Sequence, residues 1–161
     1  MPLVALALLA ASVAPAAENR QAEVRRLLFE ICPKIVAGEI DLSDRAQVAA
    51  LGFLPRPGGG DWVRAQKGEK QRRITLGFRT FPGKRVCQVG FGGKDNQALY
   101  RSIIQAGEAR GWHASAGAEE LGGFITFLDP PTPSRRTIMF AHWPEFDGLE
   151  PATNAGLIDN D

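Results

Sequence analysis

The two histidines, His113 and His142, are the side chains of this sequence that exchange a proton most readily near neutral pH. If they converged with Asp129 or Glu145, they could form a general base or a metal site. However, the sequence has no ligand spacing such as H-x-x-x-H, and His142 alternates with apolar residues of a predicted strand. A buried or surface histidine is the preferred interpretation, and a small hydrolase or metal-dependent enzyme that uses His113 and His142 is the alternative.

A glycine-rich loop at residues 90–96 lies between a predicted strand and a predicted helix, where backbone N–H groups can bind phosphate. The loop matches neither G-x-x-x-x-G-K-S/T nor G-x-G-x-x-G, and its spacing does not fit an acetyl-CoA loop. No serine lies in a G-x-S-x-G motif, and the adjacent Glu119 and Glu120 are typical of loop charges. We therefore predict no catalytic set, no metal and no cofactor.

Charge is distributed unevenly along the chain, although the formal net charge is only +1. Basic residues dominate residues 62–94, whereas carboxylates outnumber the two arginines from residue 117 onward. A period of two places Arg73 and Arg79 on the polar side of a predicted strand, which predicts a basic outer face of the sheet. The candidate residues for binding an anionic partner are Arg72, Arg73, Arg79, Lys84, Arg85 and Lys94.

A face of this kind suits the phosphates of lipid headgroups, an acidic polysaccharide or an acidic protein. We do not expect nucleic acid as a partner, because aromatic residues that could stack on bases are sparse in this segment. The alternative is an ordinary solvated face, whose charge is screened by salt and by the acidic end of the chain.

The N-terminus predicts export. An apolar run at residues 3–14 ends in Ala14-Pro15-Ala16, which is the A-x-A pattern that signal peptidase recognises. Cleavage before Ala17 would remove residues 1–16. The run is shorter than the roughly 20 residues that span a bilayer, so we expect a periplasmic or secreted protein with no transmembrane anchor after cleavage.

Two cysteines, Cys32 and Cys87, remain after the predicted cleavage site. An even number of cysteines in an oxidising compartment predicts a disulfide. Two buried free thiols or a metal site are the alternatives, but two cysteines without nearby histidines make a poor zinc site.

Apolar periodicity predicts one α+β domain over residues 17–144. A first helix covers residues 24–35, where Pro33 should bend or end it, and a second short helix follows. Strands with a period of two are expected at residues 73–79 and 85–91, joined by a hairpin turn. The disulfide would tie the first helix to the second of these strands.

A further helix begins at Asp95 or Asn96 and ends near Gly111, and two or three strands follow it. The result is an antiparallel sheet of about five to six strands, with two or three helices on one face and one disulfide. The strand at residues 137–143 is apolar on both sides, which indicates either burial or a docking patch. The composition of residues 145–161 predicts an acidic tail that is poorly ordered or lies loosely across the Arg73 and Arg79 face.

These features favour an exported, non-enzymatic binding or inhibitor-type module that docks an anionic partner through a basic sheet face. The histidine-dependent enzyme described above is one alternative. A structural or assembly protein is another, and it would be recognised by a large apolar patch around Trp143.

Overall fold

The computed structural model describes residues 16–56, 59–66, 69–120, 123–132, 134–144 and 150–160. The predicted signal peptide lies outside this part of the chain, except for its last residue. The helices are α1 (Ala16–Arg26), α2 (Cys32–Ala37), α3 (Arg45–Ala50) and α4 (Asn96–Glu108), with a π-helical segment (Leu27–Ile31) between α1 and α2. The strands are β1 (Leu54–Pro55), β2 (Trp62–Gln66), β3 (Glu69–Phe81), β4 (Lys84–Gly92), β5 (His113–Glu120), β6 (Gly123–Asp129), β7 (Arg136–Trp143) and β8 (Ala152–Asn160).

In the described part of the chain, eight strands form one antiparallel sheet in the order β1-β2-β3-β4-β8-β7-β6-β5. The order divides the sheet into two four-stranded meanders, β1 to β4 and β5 to β8, which meet where β4 pairs with β8. The predicted α+β class with an antiparallel sheet is confirmed. The predicted number of five to six strands is too low.

The core lies between the helices and one face of the sheet. The sheet contributes alternate residues such as Val89 on β4, Leu157 on β8 and Phe140 on β7, all of them buried. The helices contribute residues at helical spacing, for example Leu28 from the π-helical segment and Ile103 from α4. The other face of the sheet, called the open face below, carries none of the described helices.

Pro33 does not end the first helix. A regular α-helix would bring the proline ring against the carbonyl of Phe29, four residues earlier. The π-helical segment widens the turn instead, and the N–H of Cys32 bonds to the carbonyl of Leu27. The helices α1 and α2 and the π-helical segment between them therefore form one continuous helical rod from Ala16 to Ala37. Gly38 ends this rod with a φ of 79°.

The prediction of a poorly ordered acidic tail is wrong for residues 152–160, because they form β8 in the middle of the sheet. Thr153, Ala155 and Leu157 are buried against the helices, and β8 pairs with β4 on one side and β7 on the other. The segment therefore does not lie across the Arg73 and Arg79 face. Its alternation gives a weak apolar signal because two of these three residues are small or polar.

Candidate functional site

The disulfide is present, and it joins the helical rod to the centre of the sheet. Cys32 on α2 is bonded to Cys87 on β4, with a Cα–Cα distance of 5.4 Å, and both residues are fully buried. A disulfide of this kind indicates an oxidising compartment. Among the described helices, none has the length and hydropathy to span a bilayer.

The structure does not bring the two histidines together. His113 lies on β5 opposite Asp129, on the open face, whereas His142 lies on the helix-covered face of β7. The two positions are separated by roughly five residues of strand, or about 16 Å along the strand direction. In the described residues no group of three or more histidines, cysteines or carboxylates could hold a metal ion.

His142 belongs to a buried cluster of hydrogen bonds. Its Nδ1 atom lies 2.8 Å from Oγ1 of Thr153, and the Nδ2 group of Asn96 donates to the same hydroxyl oxygen at 3.1 Å. The ring of Tyr100 stacks on the imidazole, with 5.1 Å between the ring centroids. Burial lowers the pKa of His142 below the usual histidine value, so the ring is neutral at neutral pH.

A side chain of the protein itself, that of Arg20, occupies the loop at residues 90–96. The side chain of Arg20, which has no exposed surface, pairs with the carboxylate of Asp95 and donates to the carbonyl of Gly92 at 2.6 Å. Asp95 therefore neutralises a buried cation and makes no side-chain cap for α4. We call Arg20, Asp95, Asn96, His142 and Thr153 the buried network. Sequence reasoning identified the loop but missed Arg20 as its occupant.

The six residues predicted to bind an anion do not form one face. Arg73 and Arg79 share the open side of β3, but Arg79 is bound to Asp61 at 2.6 Å. Lys94 is exposed next to the buried network, at the opposite end of the sheet from Lys84. The side chain of Arg72 lies outside the described part of the structure.

Lys84 and Arg85 do lie in a concentration of positive charge, together with two arginines that sequence reasoning did not select. The carboxylate of Asp159 faces three guanidinium groups: Nη2 of Arg85 at 3.7 Å, Nε of Arg135 at 3.9 Å and Nε of Arg136 at 3.3 Å. The pairing of β8 with β4 and β7 produces this arrangement, because both Arg85 and Arg136 are opposite Asp159. We call Lys84, Arg85, Arg135, Arg136 and Asp159 the basic end.

The guanidinium groups of the basic end are more exposed than the carboxylate that they face. The Asp159 side chain is 2% exposed, whereas those of Arg85, Arg135 and Arg136 are 34%, 64% and 38% exposed. The guanidinium groups therefore keep surface on which a further anion can bind, and arginine forms paired hydrogen bonds to phosphate and carboxylate groups.

The β3–β4 hairpin extends from the basic end. Phe81 pairs with Lys84, and the two residues between them form the turn. Pro82 presets the first turn position, and Gly83 takes a φ of 71° at the second, a combination typical of a type II turn. The predicted hairpin is therefore confirmed, and its tip places Phe81 and Lys84 at the same end of the sheet as the three arginines.

The open face carries an apolar groove at the other end of the sheet. Its volume is about 330 Å³, and its lining includes Ile125, Met139 and Trp143. Met139 and Ala141 are half-buried and Trp143 is exposed, so β7 is fully buried only on the side that faces the helices. The groove is an apolar patch of modest size, and the described structure shows nothing that covers it.

No protein-family description, no curated protein and no solved structure matches this chain at a significant level.

Proposed function

We propose that this protein is an exported, non-enzymatic binding module of the periplasm or the extracellular space, and that it docks an anionic partner at the basic end. The observation that carries the proposal is the exposure of two guanidinium groups, 64% for Arg135 and 38% for Arg136, beside the buried carboxylate of Asp159. The disulfide supports the location, because such bonds persist in oxidising compartments. Cleavage before Ala17 accounts for export in this proposal.

The proposed site differs from the face predicted from the sequence. It retains Lys84 and Arg85, adds Arg135 and Arg136, and gives no direct role to Arg73. Electrostatic binding at such a site needs several cations at once, because a single exposed pair contributes only about 0–1 kcal/mol. Binding should therefore weaken strongly as the salt concentration rises.

Retention of the protein on a dextran sulfate column tests the proposal. The double variant Arg135→Gln/Arg136→Gln should elute at clearly lower salt than the unchanged protein. The control Arg73→Gln/Arg101→Gln removes the same charge from two exposed positions outside the basic end, and it should elute close to the unchanged protein. Equal losses in the two double variants would show that net charge, and not the basic end, determines binding.

A further inference from the structure

We propose that the anionic partner is a lipid bilayer, on which the protein docks with Phe81 inserted among the headgroups and the basic end on the lipid phosphates. This inference rests on the proposed function and names the class of partner. It starts from the tip of the β3–β4 hairpin, where Phe81 is 46% exposed. A large exposed aromatic side chain at a hairpin tip has no role in the core of the protein.

One cation of the basic end, Lys84, lies beside this aromatic residue. Nζ of Lys84 lies 5.8 Å from the centroid of the Phe81 ring. Lys84 pairs with Asn160 on β8, and the backbone carbonyl of Arg135 accepts hydrogen bonds from both the N–H and the side chain of Asn160. The strand register therefore holds Phe81, Lys84 and Arg135 at the same end of the sheet.

A bilayer surface fits this combination better than the other anionic partners. Phenylalanine side chains of membrane-bound proteins are buried at the boundary between headgroups and acyl chains, and each lysine or arginine near an anionic leaflet adds to the attraction. An acidic polysaccharide would need only the cations and would leave Phe81 unused. An acidic protein would need a larger apolar contact, but Phe81 is the only large exposed apolar residue described at this end.

Co-sedimentation with vesicles tests the proposal. One set contains phosphatidylcholine with about one-third phosphatidylglycerol, and the other contains phosphatidylcholine alone. The mature protein should bind the anionic vesicles and not the neutral ones. Phe81→Ser should weaken vesicle binding about fivefold to tenfold, because a buried aromatic surface is lost. The matched control is Phe124→Ser, since Phe124 is 52% exposed at the opposite end of the sheet, and it should bind as the unchanged protein does.

The dextran sulfate column separates failure of this inference from failure of the proposed function. Phe81→Ser should keep its retention on that column, which also shows that the variant is folded. If Phe81→Ser binds anionic vesicles as tightly as the unchanged protein, or if the unchanged protein binds dextran sulfate but not the vesicles, membrane docking is wrong. The proposed function then stands with a polysaccharide or protein as partner. If the unchanged protein binds neither, both proposals are wrong.

Discussion

The two ends of the β4 and β8 strand pair carry clusters of polar side chains that differ in their access to solvent. In the buried network, Arg20 is enclosed and one carboxylate, that of Asp95, neutralises it. In the basic end, one carboxylate faces three guanidinium groups that keep part of their surface exposed. Thr153 and Asp159 mark the two clusters on β8, and they lie about 20 Å apart along the strand. The comparison separates a polar cluster that the fold encloses from one whose guanidinium groups keep solvent-exposed surface, and only the second is our proposed ligand site.

The largest effect should follow from loss of the disulfide, which lies between the two clusters. Cys32→Ala/Cys87→Ala opens a loop defined by a sequence separation of 55 residues. The chain-entropy relation gives a loss of about 4 kcal/mol in the free energy of unfolding. Urea denaturation followed by circular dichroism measures this loss. A change well below 1 kcal/mol would mean that packing alone holds the rod on the sheet.

The next largest effect should come from Asp95→Ala in the buried network. The variant leaves the buried guanidinium group of Arg20 without its counter-ion, which should cost about 3 kcal/mol. We expect the lower part of the usual range because the carbonyl of Gly92 still accepts a hydrogen bond from Arg20. Lys94→Ala is the neighbouring control, and it should leave the free energy of unfolding nearly unchanged because Lys94 is exposed. Equal stability of the two variants would contradict the structural role of this network.

The corresponding substitution at the basic end, Asp159→Asn, should lower the free energy of unfolding less than Asp95→Ala does. The three arginines are partly exposed and can turn toward water, so we expect a loss of only about 1–2 kcal/mol. Removal of the carboxylate also raises the positive charge of the site, and binding to dextran sulfate should strengthen about fivefold. Isothermal titration calorimetry measures the affinity. Weaker binding by this variant would show that Asp159 positions the arginines and does not compete with the ligand.

The smallest effect should be a dependence of stability on pH that comes from His142. Burial lowers the pKa of His142 in the folded protein, so the unfolded chain binds a proton at a higher pH than the folded chain does. The contribution of this residue to stability is therefore full above the ordinary histidine pKa of about 6.5. It is lost as the pH falls through the lower pKa of the folded state.

Denaturation of His142→Gln and His113→Gln between neutral and mildly acidic pH checks this expectation. The difference in unfolding free energy between the unchanged protein and His142→Gln should shrink as the pH falls. His113→Gln is the control, because it replaces the other histidine at an exposed position. If the free energy of unfolding depended on pH in the same way in all three proteins, His142 would not titrate as its burial indicates.

The sequence predicts the parts of the fold that depend on strong local patterns. The alternation of Ile74, Leu76 and Phe78 predicts β3, the Pro-Gly pair predicts the hairpin turn, and the disulfide follows from the number of cysteines. β8 was missed because Ala155 and Thr153 give a weak apolar signal, and because Asp159 is a carboxylate at a buried position. A buried charge cannot be recognised from composition when its partners come from other strands.

The candidate site was only partly predictable for the same reason. Lys84 and Arg85 stand out in the basic segment, but Arg135 and Arg136 lie in a segment that is acidic overall. These residues meet only because β8 lies between β4 and β7, which is a contact between distant parts of the chain. The sequence therefore predicts an anionic partner and selects Lys84 and Arg85, whereas the inclusion of Arg135 and Arg136 in the proposed site depends on the strand order of the structure.

The most direct measurement is a residue-resolved map of ligand contact by nuclear magnetic resonance. Isotope-labelled protein would be titrated with short dextran sulfate chains while the backbone amide shifts are followed. We predict that the largest shifts fall at residues 81–85, at residues 134–136 and at Asn160, with little change in the buried network. Largest shifts at residues 92–96 or around Trp143, with the basic end unaffected, would contradict the assignment of the binding site.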